Sequence, residues 1–113
     1  MRTVLYVLGI AGLAAGLHVF IGWPATALAG MAAAGARYPA VVSALGVGLA
    51  WTGGVAYTFV VSDAGTLALL TFLADATGGV PQVVLALLPT GIGAVWGAAS
   101  GALGSALYAW MNA

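Results

Sequence analysis

Four side chains in this chain carry a formal charge: Arg2, Arg37, Asp63 and Asp75. His18 is the only imidazole, and there is no lysine, glutamate or cysteine. The chemistry open to the chain is therefore narrow. Without cysteine there are no disulfides, thiol nucleophiles, iron–sulfur clusters or Cys-type zinc sites. A phosphate-cradling glycine loop would need a lysine after it. The serines stand in no Ser–His–Asp order and in no Gly-x-Ser-x-Gly elbow. No pair of His, Asp or Glu has the helical spacing of a metal site. A non-enzymatic protein without a cofactor is the expectation.

Each remaining polar group has one sharp reading and one plain one. A carboxylate inside a membrane serves proton- or sodium-coupled transport, usually with hydroxyls at hand. Asp63 and Asp75 have Thr58, Ser62, Thr66, Thr71 and Thr77 close by in sequence. Both acids also sit beside turn signals, so the plain reading fits better: Asp63 belongs to a helix cap with Ser62, and Asp75 to a loop. Arg37, in Gly35-Ala36-Arg37-Tyr38-Pro39, can hold a phosphate in a bidentate way. It is the candidate for a lipid head group, against the plainer role of loop anchor. His18 could supply one axial haem ligand, but a hydrogen-bonded packing residue is the commoner use and the expected one.

The clearest spacing is made of small residues. Gly93, Gly97, Gly101 and Ser105 recur every four positions, with Ala109 continuing the row. Gly12 and Gly16 repeat the pattern near the N-terminus. Small residues four apart let helix backbones approach closely, the usual device where lipid removes the hydrophobic drive between helices. These six positions are the expected helix-packing or assembly surface. The spacing leaves open whether the partner helix belongs to the same chain or to a copy.

The elements that carry these residues must be apolar almost throughout. The run from Ala76 to Ala113 is uncharged over 38 residues, and Thr3 to Ala36 contains only His18 as a possible cation. Soluble domains are about a quarter charged, whereas here 4 of 113 residues are. The outer surface must therefore face lipid or further copies of the chain. Two cations make no basic patch, so nucleic acid is not an expected partner; the expected partners are the chain itself and membrane lipid.

Proline, glycine and capping residues divide the sequence into helical segments near 3–22, 24–36, 39–61, 64–76 and 81–111. A span of the hydrocarbon core takes about 20 helical residues. Segments 24–36 and 64–76 are too short, so each is expected to be a half-span, a re-entrant piece or a kinked continuation. A kink or break is expected at Leu88-Pro89 inside the last segment. The fold class is thus all-α: one polytopic membrane domain over 1–113, with three long hydrophobic arms (3–36, 39–76 and 81–111) broken into four or five helical segments. A four-span alternative, broken at Trp51-Thr52-Gly53-Gly54, would bury Asp63 at mid-membrane and is disfavoured by its cost, about 2.5–3.5 kcal/mol per charge. Residues 1–29 read like a signal peptide ending Ala27-Leu28-Ala29, but the apolar stretch also suits a full span, and retention as a first helix is expected. Trp23, Tyr38, Tyr108 and Trp110 fall at segment ends, as interfacial aromatics do, while Trp51 and Trp96 are expected inside. A short repeat is visible as well. Pro39-Ala40-Val41-Val42-Ser43-Ala44-Leu45 leads into Gly46-Val47-Gly48 and Trp51. Pro81-Gln82-Val83-Val84-Leu85-Ala86-Leu87 leads into Gly91-Ile92-Gly93 and Trp96.

Two family resemblances follow from these residues. Leu88-Pro89-Thr90-Gly91-Ile92 with Trp96 resembles the third-helix stretch of the small multidrug resistance transporters. That family's essential first-helix glutamate has no counterpart here, which sets it aside. The Ala- and Gly-rich helices, the signal-like N-terminus ending Ala27-Leu28-Ala29 and the short basic turn at Arg37 resemble the pilins of conjugation (type IV secretion) machines. That resemblance implies a self-associating subunit stored in the cell membrane and extracted into an extracellular, lipid-containing filament, with Arg37 meeting lipid head groups. The alternative expectation is a small oligomeric transporter or channel using Asp63 or Asp75, or an accessory membrane subunit of a larger complex.

Overall fold

The computed structural model describes every residue from Met1 to Ala113 and contains helices only. In chain order these are α1 (Arg2–Phe20), α2 (Thr26–Met31), α3 (Pro39–Val61), α4 (Asp63–Ala76) and α5 (Gln82–Met111). Two 3₁₀ turns, Trp23–Ala25 and Ala32–Gly35, flank α2. Helices α1, α3 and α5 are long and apolar enough to cross a membrane.

The ends of the elements follow from local chemistry. Pro39 opens α3 at the first helical position, where its missing N–H costs nothing. Ser62 stops α3 and starts α4: its side chain accepts the Gly65 N–H at 3.3 Å. The Thr66 hydroxyl then donates to the carbonyls of Ser62 and Thr58 at 2.8 and 3.0 Å, tying the two helices together across the break. Gly78 and Gly79, both at positive φ, turn the chain from α4 towards α5. Gly22, at φ 132°, turns it between α1 and the first 3₁₀ turn.

The turn at Gly22 defines the topology. The segment from Trp23 to Gly35 is a thin helical return that brings the chain back to the end of the molecule where α1 began, because Arg2 and Arg37 line one cleft. Helices α1 and α3 run parallel: Ile10 packs against Gly46, and His18 lies beside Trp51. Helices α3 and α5 run antiparallel, with Gly93 on Trp51, Gly97 on Ser43 and Val47, and Gly101 on Pro39 and Ser43. The α2 segment lies along both, placing Gly30 on Ser100 and the Met31 backbone on Gly104.

The core is small. Only 17 of 113 residues are buried, among them Ile10, Ala14, Ala29, Ala33, Val42 and Val47. Its serine and threonine hydroxyls are satisfied. Buried Ser43 donates to the Gly30 carbonyl at 2.6 Å, Thr26 to the Trp23 carbonyl at 2.6 Å, and Ser100 to the Gly97 carbonyl at 3.0 Å. With so few residues buried, large apolar side chains such as Val19, Phe20, Val60, Phe72 and Val95 stand exposed.

One expectation changes. No break occurs at Leu88-Pro89: α5 runs as one helix through Pro89, about 45 Å at 1.5 Å per residue. Proline has no N–H for the Leu85 carbonyl, yet the next residue ties this stretch to α3, with the Thr90 and Thr52 hydroxyls 2.7 Å apart. The α3 helix is continuous through Trp51-Thr52-Gly53-Gly54 to Val61, as the favoured three-arm reading expects, leaving Arg37 and Asp63 at its two boundaries.

A side chain at Gly97 or Gly101 has nowhere to go. A Cβ at Gly97 would strike the Ser43 carbonyl, and one at Gly101 would stand 2.6 Å from the Pro39 carbonyl oxygen. Overpacking costs typically about 1–3 kcal/mol, and backbone atoms yield least. Gly101→Leu is therefore expected to lower the thermal unfolding midpoint in detergent by several degrees, while Gly12→Leu, with nothing within 4 Å, leaves it unchanged. Equal midpoints for parent and Gly101→Leu would refute the close α3–α5 crossing.

Candidate functional site

The polar side chains divide between the two ends of α3. Arg37 stands just before the helix and Asp63 just after it; 23 residues of α-helix separate them by about 34 Å. Arg2 lines one cleft with Arg37. Asp63 opens α4 and Asp75 stands about 18 Å further along it, before the turn into α5, so both acids follow α3 while both arginines lie at its start.

At the arginine end the first turn of α1 faces the loop that follows α2. Arg2, Thr3, Leu5 and Tyr6 on one side, and Gly35, Ala36, Arg37 and Val42 on the other, enclose a cleft of about 620 Å³. The Arg37 guanidinium carbon lies 5.3 Å from the centre of the Tyr38 ring, within the range of a cation–π contact. The arrangement can do one thing chemically: present two permanent cations and two hydroxyls, those of Thr3 and Tyr6, to an anion. Sequence reasoning singled out Arg37 and missed Arg2. The signal available was that these are the only two cations of the chain and that cations gather on one side of a membrane.

The expected packing residues fall into three groups. Gly93, Gly97 and Gly101 are buried in the α3–α5 crossing. Ser105 is half-buried, and the buried position at this level is Gly104. Gly12 is exposed and Gly16 half-buried on α1, with open space where a side chain would be; α1 meets Gly46 of α3 through Ile10 and the Val7 carbonyl instead.

Asp63 and Asp75 are exposed on α4, of which only Leu70 is buried. Asp63 occupies the first turn, where a carboxylate favours the helix dipole. His18 lies with its ring 6.4 Å from that of Trp51. No three His, Asp or Glu side chains come together as a metal site would require. Trp51 and Trp96, the two tryptophans of the repeat, converge on Trp23 with ring centres at 6.4 and 5.5 Å. Their indole N–H groups are buried and have no acceptor.

Comparison with protein-family models, curated proteins and solved structures finds no match.

The cap chemistry predicts how α4 responds to substitution. Asp63→Asn keeps a good first-turn residue and is expected to leave the unfolding midpoint essentially unchanged. Ser62→Ala removes the acceptor of the Gly65 N–H and is expected to cost about 1 kcal/mol, read as faster hydrogen exchange in α4. In proteoliposomes Asp63→Asn is expected to abolish no ion flux. Loss of a pH-driven flux present in the parent would give Asp63 a transport role.

Proposed function

We propose that this chain is a non-enzymatic membrane protein that acts by associating with copies of itself and with lipid, most concretely as a subunit stored in the cell membrane and drawn from it into a filament. The observation that carries this reading is the state of α1. The glycine row of α5 is used up inside the chain, against α3 and α2. Gly12 and Gly16 of α1 are not: a Cβ added at either would meet no atom within 4 Å, and Ile10 and Ala14 are the only buried residues of that helix. An open row of small residues accepts another helix at short range, and in lipid such close packing is what holds helices together.

The scarcity of charge supports the same reading. A chain whose flanks are uncharged between its two ends can be covered by lipid or by neighbours without burying an ion. The transport alternative needs a carboxylate facing a path through the membrane, and both carboxylates are instead exposed on α4.

The test is self-association in vesicles, followed by energy transfer between labelled copies. Association that depends on protein density in the bilayer is expected. Gly12→Leu or Gly16→Leu is expected to weaken it about tenfold, equivalent to about 1.4 kcal/mol, with the unfolding midpoint unchanged. A parent chain that stays monomeric at all densities would defeat the proposal. Filaments in electron micrographs of surface material would support its most concrete form; a compact oligomer confined to the membrane would remove the filament.

A further inference from the structure

We propose that the arginine cleft and the groove beside it form one binding site for a single anionic phospholipid, with the phosphate between Arg2 and Arg37 and one acyl chain along α1. This rests on the membrane reading above and adds the class of lipid and the position of both its parts.

The cleft supplies the head-group half. It contains both arginines of the chain, and the two carboxylates lie on α4, which follows the far end of α3. Each guanidinium is permanently charged and offers a planar fork to phosphate oxygens. Thr3 and Tyr6, with their hydroxyls, line the same space. A head group that carries an ammonium would bring a third cation beside two guanidiniums, a repulsion that grows as water is excluded. The cleft therefore favours a head that is negative overall.

The groove supplies the tail half and separates a lipid from free phosphate. A second depression, of about 350 Å³, runs along α1 past Gly9 to Leu13, with Ala32 on its flank. It shares Leu5 and Tyr6 with the cleft, so the two adjoin. From Leu5 to Leu13 it rises about 12 Å along the helix axis, and apart from the Tyr6 hydroxyl its lining is apolar. Gly9 keeps it open: nothing lies within 4 Å of where its side chain would be. A polar cleft with two cations beside an apolar groove is matched by an amphiphile with an anionic head, and inorganic phosphate would leave the groove unused.

The full chain, reconstituted in vesicles of equal parts phosphatidate and phosphatidylcholine and released into mild detergent, is analysed by native mass spectrometry. These lipids differ only in the choline cap. Phosphatidate is expected to be retained at least about tenfold over phosphatidylcholine, a difference of about 1.4 kcal/mol. Arg2→Gln with Arg37→Gln should abolish the preference, and Arg37→Lys should retain part of it. Gly9→Leu should lower retention of phosphatidate although both arginines remain. Millimolar inorganic phosphate should not displace the lipid. Equal retention of the two lipids, an unaffected Gly9→Leu variant or displacement by phosphate would each overturn the proposal, the last by reducing the site to an anion cleft. Unfolding midpoints identify any variant that fails to fold, and Arg37→Lys tests the head group conservatively. Energy transfer between labelled copies is read on the same vesicles: selective lipid retention by a monomeric chain defeats the assembly reading alone, and association without selectivity defeats this inference alone.

Discussion

Backbone-to-backbone contact between α3 and α5 is the constraint on which the rest of this molecule depends. Gly97 and Gly101 meet the carbonyls of Ser43 and Pro39 with no side chain between. Individual dispersion contacts are worth only about 0.1–0.2 kcal/mol, so they must be numerous, and only glycine lets two helices come near enough. The α2 segment uses the same device, setting its own backbone against Gly104 and its Gly30 against Ser100. The hydrogen bond from buried Ser43 to Gly30 locks the three pieces in one register. At the other end of the crossing Trp51 lies over Gly93, and Trp23 fills the space between it and Trp96.

The segment boundaries were legible in the sequence because each is fixed by a local cause: Pro39 at a helix start, Ser62 as a cap, Pro81 before α5. The continuity of α5 was not, since a proline signals a lost hydrogen bond, while the Thr52–Thr90 contact that accompanies it spans two helices. The glycine row was legible as a close-contact surface, but its partner was not, because spacing says nothing about who approaches. The row also drifts. Steps of four residues advance about 40° round a helix with 3.6 residues per turn, so the contact line changes to a three-residue step and reaches Gly104 rather than Ser105.

The arginine cleft was half legible. Arg37 drew attention because it follows a break and carries charge in an apolar chain. Its partner, 35 residues earlier, is brought to it by the turn at Gly22 and by the return of the chain through α2, a piece too short to be counted as a span. The repeated Pro…Gly-φ-Gly…Trp pattern could be seen in the sequence, but not its use. Its two copies lie on antiparallel helices, and their tryptophans meet on a third that belongs to neither copy.

The thin return through α2 has a consequence for how the protein is made. Synthesis delivers α1 and α2 long before α5, yet Gly30 and Met31 find their partners only at Ser100 and Gly104. Until the last helix emerges, Gly30 and the Met31 backbone have no partner on α5 to pack against. The return segment therefore cannot complete its packing while α5 is still unmade. Arrival of the C-terminal helix is then the event that draws it in. The last helix to be made thus completes the packing of one of the first segments, and a ribosome stalled before Ser100 would leave behind a chain whose return still lacks its partner.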